Sequence, residues 1–598
     1  MDEEFNNRSF TDSLSADIIV LSSFLHGERE PGFRAEPDDR TSLSVGLVKR
    51  ITTLLTTGSS KDVENNSVNA VIARIDPSSV ECHIFSDNYS MEEGGSQNEE
   101  LVSLTLDADK GEILLRNWER EAAEFDLDVH VADVFHIIRY LQNVQKPDGN
   151  DYLQFQLLIH HRASPLFEIM KTYADELANG SMPMTDGFFR LPHSSLTRQF
   201  TVVLDQSQYL LLHDYAIDGE KLSRGNTQKT STTDAIFAYK YMVDSDNVRS
   251  WINLFSTLWQ KLEMEFFVQP SETEQLASAS LCSELTCNMH DPESVKWDSS
   301  GPSRMRFICR IVGIFYALKP VLKHILSASG NRSLLRALQD AEYESALRRN
   351  KVDHELKQWD KGHQNQMDES AASYELESIL ESNESSAARV LRFLDHVTAW
   401  YSAVVAIWTK VQKWFAEKRI EVHHFRYKIP VTVHISTAEI ENVLHQINPM
   451  RRWTFSDVNV VQRNMLSSSV HTEAVLMGWV FSSLYRTSSS SMSPIPIGMA
   501  TKCCRSCSLF NEIIAEDSAN ALAFVLLGAH SIFFSWMPPP GVPDHILLRF
   551  RNKLLRIAQR TASGSSTQYS ETPSVPDDME YFKSCRGVQE LLCFAYVE

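Results

Sequence analysis

Two short motifs place residues of the right types close enough to do chemistry together. The stretch from Ser467 to Phe510 contains His471-Thr472-Glu473 and, about thirty residues later, Cys503-Cys504-Arg505-Ser506-Cys507, the only Cys-x-x-Cys of the chain. Imidazole nitrogen and thiolate sulfur are good zinc ligands, and a carboxylate beside them can move protons. Cys504 and Cys507 are three apart, so on a helix they share a face and can grip one ion. A helix that begins near Cys503 also sets its positive end against both thiolates. His471 and Glu473 are two apart, and inside a helix they would point roughly 200° away from each other. They share a site only if His471 sits at the very start of the helix. Ser467, Ser468 and Ser469 are suitable caps there, and Ala474-Val475-Leu476-Met477 is a good apolar continuation. The expectation is two helix N-termini facing one Zn²⁺ ion, held by His471, Cys504 and Cys507 with Glu473 as a proton carrier.

Either half alone says little. His26-Gly27-Glu28 is a second His-x-Glu, in a stretch that reads as a helix end, and a lone Cys-x-x-Cys is equally a redox pair or half of a structural zinc site. Together they supply one His, two Cys and a non-ligand Glu, the set a zinc-dependent base deaminase uses. His471-Thr472-Glu473 followed by Ile497-Gly498-Met499-Ala500-Thr501-Lys502-Cys503-Cys504-Arg505-Ser506-Cys507 resembles the signature of the cytidine-deaminase-like superfamily, in particular its large fungal branch of predicted nucleic-acid deaminases. The run Gly528-Ala529-His530-Ser531-Ile532-Phe533-Phe534-Ser535-Trp536-Met537-Pro538-Pro539-Pro540-Gly541 is similar to the segment that follows the Cys helix in that branch. The resemblance covers about the last quarter to third of the chain. It implies a mixed sheet flanked by helices, a three-layer α/β/α domain, and hydrolytic removal of an amino group from cytosine or adenine in a nucleic acid or nucleotide. Two residues depart from the pattern. Cys503 stands where better-known deaminases have Pro and is a competing ligand or a site of oxidation, and Thr472 stands where Ala is common.

The elements that must position these residues follow from periodicity. Ile495 to Met499 reads as a short strand leading into the Cys helix, and Ala523 to Ala529, continuously apolar, as the next and buried strand. Ile420 to Tyr427 and Val431 to Ile435 alternate like strands around Pro430, with a helix at Ala438 to Ile447 packed on them. Phe534 or Trp536 is placed to stack on a flipped base, and His530 lies nearby; core packing is the plain alternative. The last helix, Pro543 to Gln559, packs through Leu547, Phe550, Leu554 and Ile557. Arg549, Lys553, Arg556 and Arg560 make a separate basic stripe that would suit a phosphate backbone or simply a solvated face.

Upstream, residues 1–395 form a mainly helical region without a chemical motif, 396–418 a junction helix, 419–562 the zinc domain, and 563–598 a linker and tail. Helical spacing marks Asp17 to Phe24, Leu43 to Leu55, Val131 to Leu141, Tyr152 to His160, Met305 to Leu326 with Pro320 inside, and the Trp-rich Val397 to Phe415. A hairpin is expected at Val71 to Phe85, with Asp76-Pro77-Ser78-Ser79 as its turn. Polar or acidic loops are expected at 86–100, 269–303 and 361–373. His130, Asp133, His136, His160, His161, His423 and His424 read as ordinary structural histidines and their neighbours.

Composition bounds the rest. The 598 residues exceed one core, and 43% hydrophobic with 23% charged residues is ordinary for a globular protein. Nine scattered cysteines do not form a secreted disulfide framework. The Met1-Asp2-Glu3-Glu4 start has no signal-peptide pattern and no apolar run spans a bilayer, so an intracellular protein, cytoplasmic or nuclear, without membrane contact is expected. Net charge is −21, yet residues 401–560 carry 17 Lys plus Arg against 10 Asp plus Glu. The acid is N-terminal, and a polyanionic substrate at the motif is permitted. The acidic N-terminal region would suit protein partners, and an interaction protein with a structural zinc site is the competing reading.

Overall fold

The computed structural model describes residues 10–30, 43–57, 69–86, 100–121, 127–144, 149–178, 200–205, 238–243, 248–267, 301–326, 391, 394–426, 435–466, 468–483, 494–499, 503–518, 522–526 and 531–563. Its elements are α1 (Phe10–Phe24), α2 (Leu43–Leu55), β1 (Asn69–Ile75), β2 (Ser79–Ser86), β3 (Glu100–Ser103), α3 (Ala108–Arg116), α4 (Trp118–Glu121), α5 (Leu127–Asn143), α6 (Gly149–Ala178), β4 (Phe200–Asp205), β5 (Ala238–Val243), α7 (Val248–Phe267), α8 (Gly301–Leu326), α9 (Ala399–Phe415), β6 (Arg419–Arg426), α10 (Thr437–Ile447), α11 (Phe455–Leu466), α12 (Thr472–Ser483), β7 (Ile495–Met499), α13 (Arg505–Asp517), β8 (Phe524–Leu526) and α14 (Asp544–Ala562).

The expected hairpin forms where the turn residues put it. β1 and β2 pair antiparallel from Asn69↔Ser86 to Ile75↔Val80, and the Asp76 N–H donates to the Ser79 carbonyl at 2.9 Å. That hairpin is the centre of a six-stranded mixed sheet of order β3-β6-β2-β1-β7-β8. β1 also pairs antiparallel with β7, β2 pairs parallel with β6, and β7 pairs parallel with β8. β4 and β5 make a separate two-stranded sheet.

Strand alternation sends neighbouring residues to two different cores. Val71, Ala73, Val80, Cys82, Ile84, Ile420 and Val422 face one, built with α2, α5, α6, α7, α8 and α9. Ala70, Ile72, Phe85 and Ile497 face the other, built with α1, α10, α11, α12, α13 and α14. Helices therefore flank the sheet on both faces. Gly498 is required by one of these contacts: a Cβ there would lie 2.4 Å from both the Val48 Cγ1 and the Thr52 Oγ1 of α2. Among the described residues, no helix is long and apolar enough to cross a membrane.

One expected boundary changes. The sheet is not confined to 419–562, because β1, β2 and β3 come from residues 69–103. β6 does open the C-terminal part of the sheet, but it is seated by pairing with β2 and β3, partners far away in sequence. Residues 431–434 and most of the three expected loops lie outside the described residues, as do His530, the Ser-rich connection from 487 to 493, and 564–598. The structural reading of the upstream histidines holds for His130 and His160. His130 contacts the Leu54 carbonyl (2.7 Å) and Arg162 (3.1 Å), Arg162 pairs with Asp133 (2.7 Å), and His160 contacts the Gln156 carbonyl (2.8 Å), all within the helical core.

Candidate metal centre

His471 and Cys504 each occupy the residue just before a helix. The His471 carbonyl accepts the N–H groups of Ala474 (2.9 Å) and Val475 (3.1 Å), so it caps α12. Cys504 caps α13 with extended backbone, φ −75° and ψ 165°, and its carbonyl accepts the Ser508 N–H at 3.1 Å. β7 leads into α13, and the parallel strand β8 follows it. The two helices thus meet at their N-termini, as the spacing argument requires.

Their side chains converge. His471 Nδ1 lies 3.3 Å from Cys504 Sγ and 3.3 Å from Cys507 Sγ. The ligand atoms of His471, Glu473, Cys504 and Cys507 all lie within 4.8 Å of one another. Two donors on a tetrahedral zinc, with bonds near 2.0 and 2.3 Å, would stand about 3.5 Å apart. The donor set and its spacing therefore fit zinc, and Glu473 is on the same side as the thiols. Its carboxylate oxygen is 3.7 Å from Nδ1. Glu473, Cys504 and Cys507 are buried, while the His471 side chain keeps 16% of its surface exposed. Cys503 stands outside the four. It is buried, its thiol donates to the Cys504 carbonyl at 3.6 Å, and it neighbours Cys507 and Glu473.

Electrostatics favour a charged cluster. Burial opposes ionisation of Cys504, but a hydrogen bond from Cys507 and the His471 imidazole bring its thiol well below the ordinary value. Burial also works against an imidazolium at His471, yet Cys504 and Glu473 hold its pKa well above the usual range. Burial alone would raise the Glu473 carboxyl, and hydrogen bonding to His471 brings it below the usual range instead. Burial, with hydrogen bonds to Cys503 and Cys504, pushes the Cys507 thiol well up. A zinc ion would take the place of the protons shared in this group.

The walls of the site come from distant parts of the chain. Segment 27–30 pairs with 531–533: the Gly27 N–H donates to the Phe533 carbonyl (2.8 Å) and the Phe533 N–H to the Glu28 carbonyl (3.0 Å). Gly27 ends the turn after α1 at φ 81°, a left-handed conformation that glycine takes at little cost. His26 Nδ1 accepts the Ser535 N–H at 3.2 Å. Its ring meets Phe534 edge-on at 5.6 Å. Burial lowers its pKa, with Cys504 and His471 close enough to act on it in opposite directions. Arg505, buried at the start of α13, pairs with Glu30 and with Glu512 at 2.6 Å. The sequence marked His26-Gly27-Glu28 correctly as a helix end, but nothing local signalled that His26, Glu30 and Arg505 frame the cluster.

Three expected substrate contacts are reassigned. Trp536 is fully buried between Phe510 and Phe550, so its face is not open to a base; its indole N–H instead donates to Cys507 Sγ at 3.2 Å. Arg549 pairs with Asp517 (3.0 Å) and Glu516 (2.7 Å), and Lys553 with Glu516 (2.8 Å). Those acids end α13, roughly 18 Å from Cys504 at 1.5 Å per residue, so this part of the stripe clamps α14 to α13 and does not reach the cluster. Arg556 is exposed on the same helix. Phe534, half-buried against His26, remains the aromatic at the edge of the site. No family model, curated protein or solved structure matches the chain.

Proposed function

We propose that this chain is a zinc-dependent hydrolytic deaminase acting on an amino-bearing base, cytosine or adenine, in a nucleic acid or nucleotide. The observation that carries the reading is the convergence of one imidazole nitrogen and two sulfurs at 3.3 Å with a buried carboxylate on the same side. His471, Cys504 and Cys507 would hold the ion, which when bound supplies the Lewis acidity that makes water a nucleophile at neutral pH. Glu473 takes the proton released as water adds to the amino-bearing carbon. It delivers protons to the ring nitrogen and to the leaving amine, so base and water become the oxo base and ammonia. His26 and Phe534 border the site where the base would enter. The net positive charge of residues 401–560 supports a polyanionic substrate.

Glu473→Gln should retain zinc and lower ammonia release from single-stranded DNA, RNA or free nucleosides by about a hundredfold to ten-thousandfold. Release at the wild-type rate would remove Glu473 from the chemistry. A structural zinc site in an interaction protein is the second reading, favoured by the buried Cys503 thiol beside Cys507. It predicts four protein ligands, no ammonia from any substrate, and weaker zinc in Cys503→Ala, whereas the enzyme keeps its zinc in that variant.

A further inference from the structure

A second set of ligand-type side chains lies on the sheet, away from the two helix N-termini. β2 carries Glu81-Cys82-His83, and β6 carries Glu421-Val422-His423. The two strands run parallel in a register that pairs Glu81 with Glu421 and His83 with His423. With side chains alternating along each strand, all four project from one face, the face that also carries Phe85 and Phe425. Two Glu-x-His tripeptides remote in sequence thus become one patch.

The patch converges on a point. The His83 and His423 rings stack at 4.9 Å with an 18° interplanar angle. Their Nε2 atoms lie 3.0 and 3.7 Å from the same Glu81 oxygen. Ligand atoms of Glu81, Glu421 and His423 all lie within 4.8 Å of one another. The Ser103 hydroxyl, presented by β3, engages His423 Nδ1 at 3.0 Å, leaving Nε2 as the nitrogen that faces the carboxylates. A hydrogen-bonded outer nitrogen is the usual way a ligating imidazole is oriented. Trp479 of α12 borders the patch, its ring 4.8 Å from that of His83. Arg419 pairs with Glu421 at 2.6 Å, but its side chain is 78% exposed, so this surface pair yields readily to a competing ion. Glu81 and His423 are themselves 33% and 20% exposed, which leaves a route from solvent.

We propose that Glu81, Glu421 and His423 hold a second divalent metal ion of the zinc, cobalt or nickel class, with His83 hydrogen-bonded to Glu81 beside them. Imidazole selects these ions over magnesium or calcium, and the absence of sulfur separates this site from the cysteine cluster. The ion would tie β2 to β6 across the long stretch of chain between them. The inference is independent of the deaminase reading.

The test is metal stoichiometry with a spectroscopic label. The full chain, stripped by chelation and titrated with Co²⁺, should bind two equivalents: one with an intense sulfur-to-cobalt charge-transfer band and one with weak visible bands only. Glu421→Gln/His423→Gln should bind one equivalent with the charge-transfer band intact, and Cys504→Ser/Cys507→Ser one equivalent without it. Unchanged stoichiometry in Glu421→Gln/His423→Gln overturns the proposal. Unchanged stoichiometry in the cysteine variant counts only against the cysteine site. Should the double variant not fold, His423→Gln alone in the cysteine-variant background should weaken Zn²⁺ binding at least tenfold by calorimetric titration, and equal affinity overturns the proposal.

Discussion

At the residue scale, one sulfur of the candidate ligand set is contacted by a donor from outside it. Trp536 has no access to solvent, and its N–H points at Cys507 Sγ from 3.2 Å. A hydrogen bond to a ligating thiolate spreads its charge and fixes its direction, and outer partners of this kind are worth about ten- to a hundredfold in metal affinity. Trp536→Phe keeps most of the packing against Phe510 and Phe550 and removes only the donor. Zinc affinity should fall by that factor in a chelator competition, with the far-UV spectrum unchanged. Equal affinity would make Trp536 a packing residue alone. The Thr472 hydroxyl, between His471 and Glu473, is buried with no hydrogen-bond partner.

At the element scale, the close approach of α2 to β7 decides whether the sheet can be covered. Gly498 leaves no room for a side chain, since even a Cβ would stand 2.8 Å from the Val48 carbonyl oxygen. Overpacking of this kind costs about 1–3 kcal/mol. Gly498→Ala should lower the urea midpoint accordingly, and an unchanged midpoint would show that α2 shifts freely. The helices behind that face carry a pH dependence of their own. Burial, reinforced by Arg162, brings His130 down to about 3, and burial brings His160 down to about 4. Both folded values lie below the unfolded value near 6.5. The unfolded chain therefore takes up protons that the folded one refuses. Stability is full above pH 6.5 and falls as the pH drops toward 4, by up to about 1.4 kcal/mol per pH unit for each histidine. Urea unfolding at pH 7, 6 and 5 should show this slope; a flat profile would contradict the buried neutral assignment.

At the scale of the whole molecule, the candidate centre is not the property of a C-terminal domain. Half of the sheet's six strands precede residue 104, and segment 26–30 forms part of the wall of the cluster. Residues 419–562 alone would expose β6 and β7 along the edges that β2 and β1 cover, would keep only Ile420 and Val422 of the first core, and would lose the α1, β1 and β2 side chains of the second. That fragment should be recovered aggregated, whereas the full chain should be recovered folded and should take up zinc. Recovery of a folded, zinc-binding fragment would show that the N-terminal strands are dispensable.

The sequence by itself determined what depends on neighbours a few residues apart. The Cys504/Cys507 spacing, the placing of His471 and the cysteine pair at helix starts, the turn at Asp76–Ser79 and the apolar stripes of α9 and α14 are all local, and helix and turn geometry follow from such spacings directly. Tertiary structure decided the rest, because a sequence does not state which distant surfaces will bury each other. Only the packed sheet seats the hairpin of residues 69–86 at its centre, turns Trp536 from a presumed stacking surface into a donor to sulfur, and spends Arg549 and Lys553 on the acids that end α13. Only the parallel register of β2 and β6 brings two Glu-x-His tripeptides to one place.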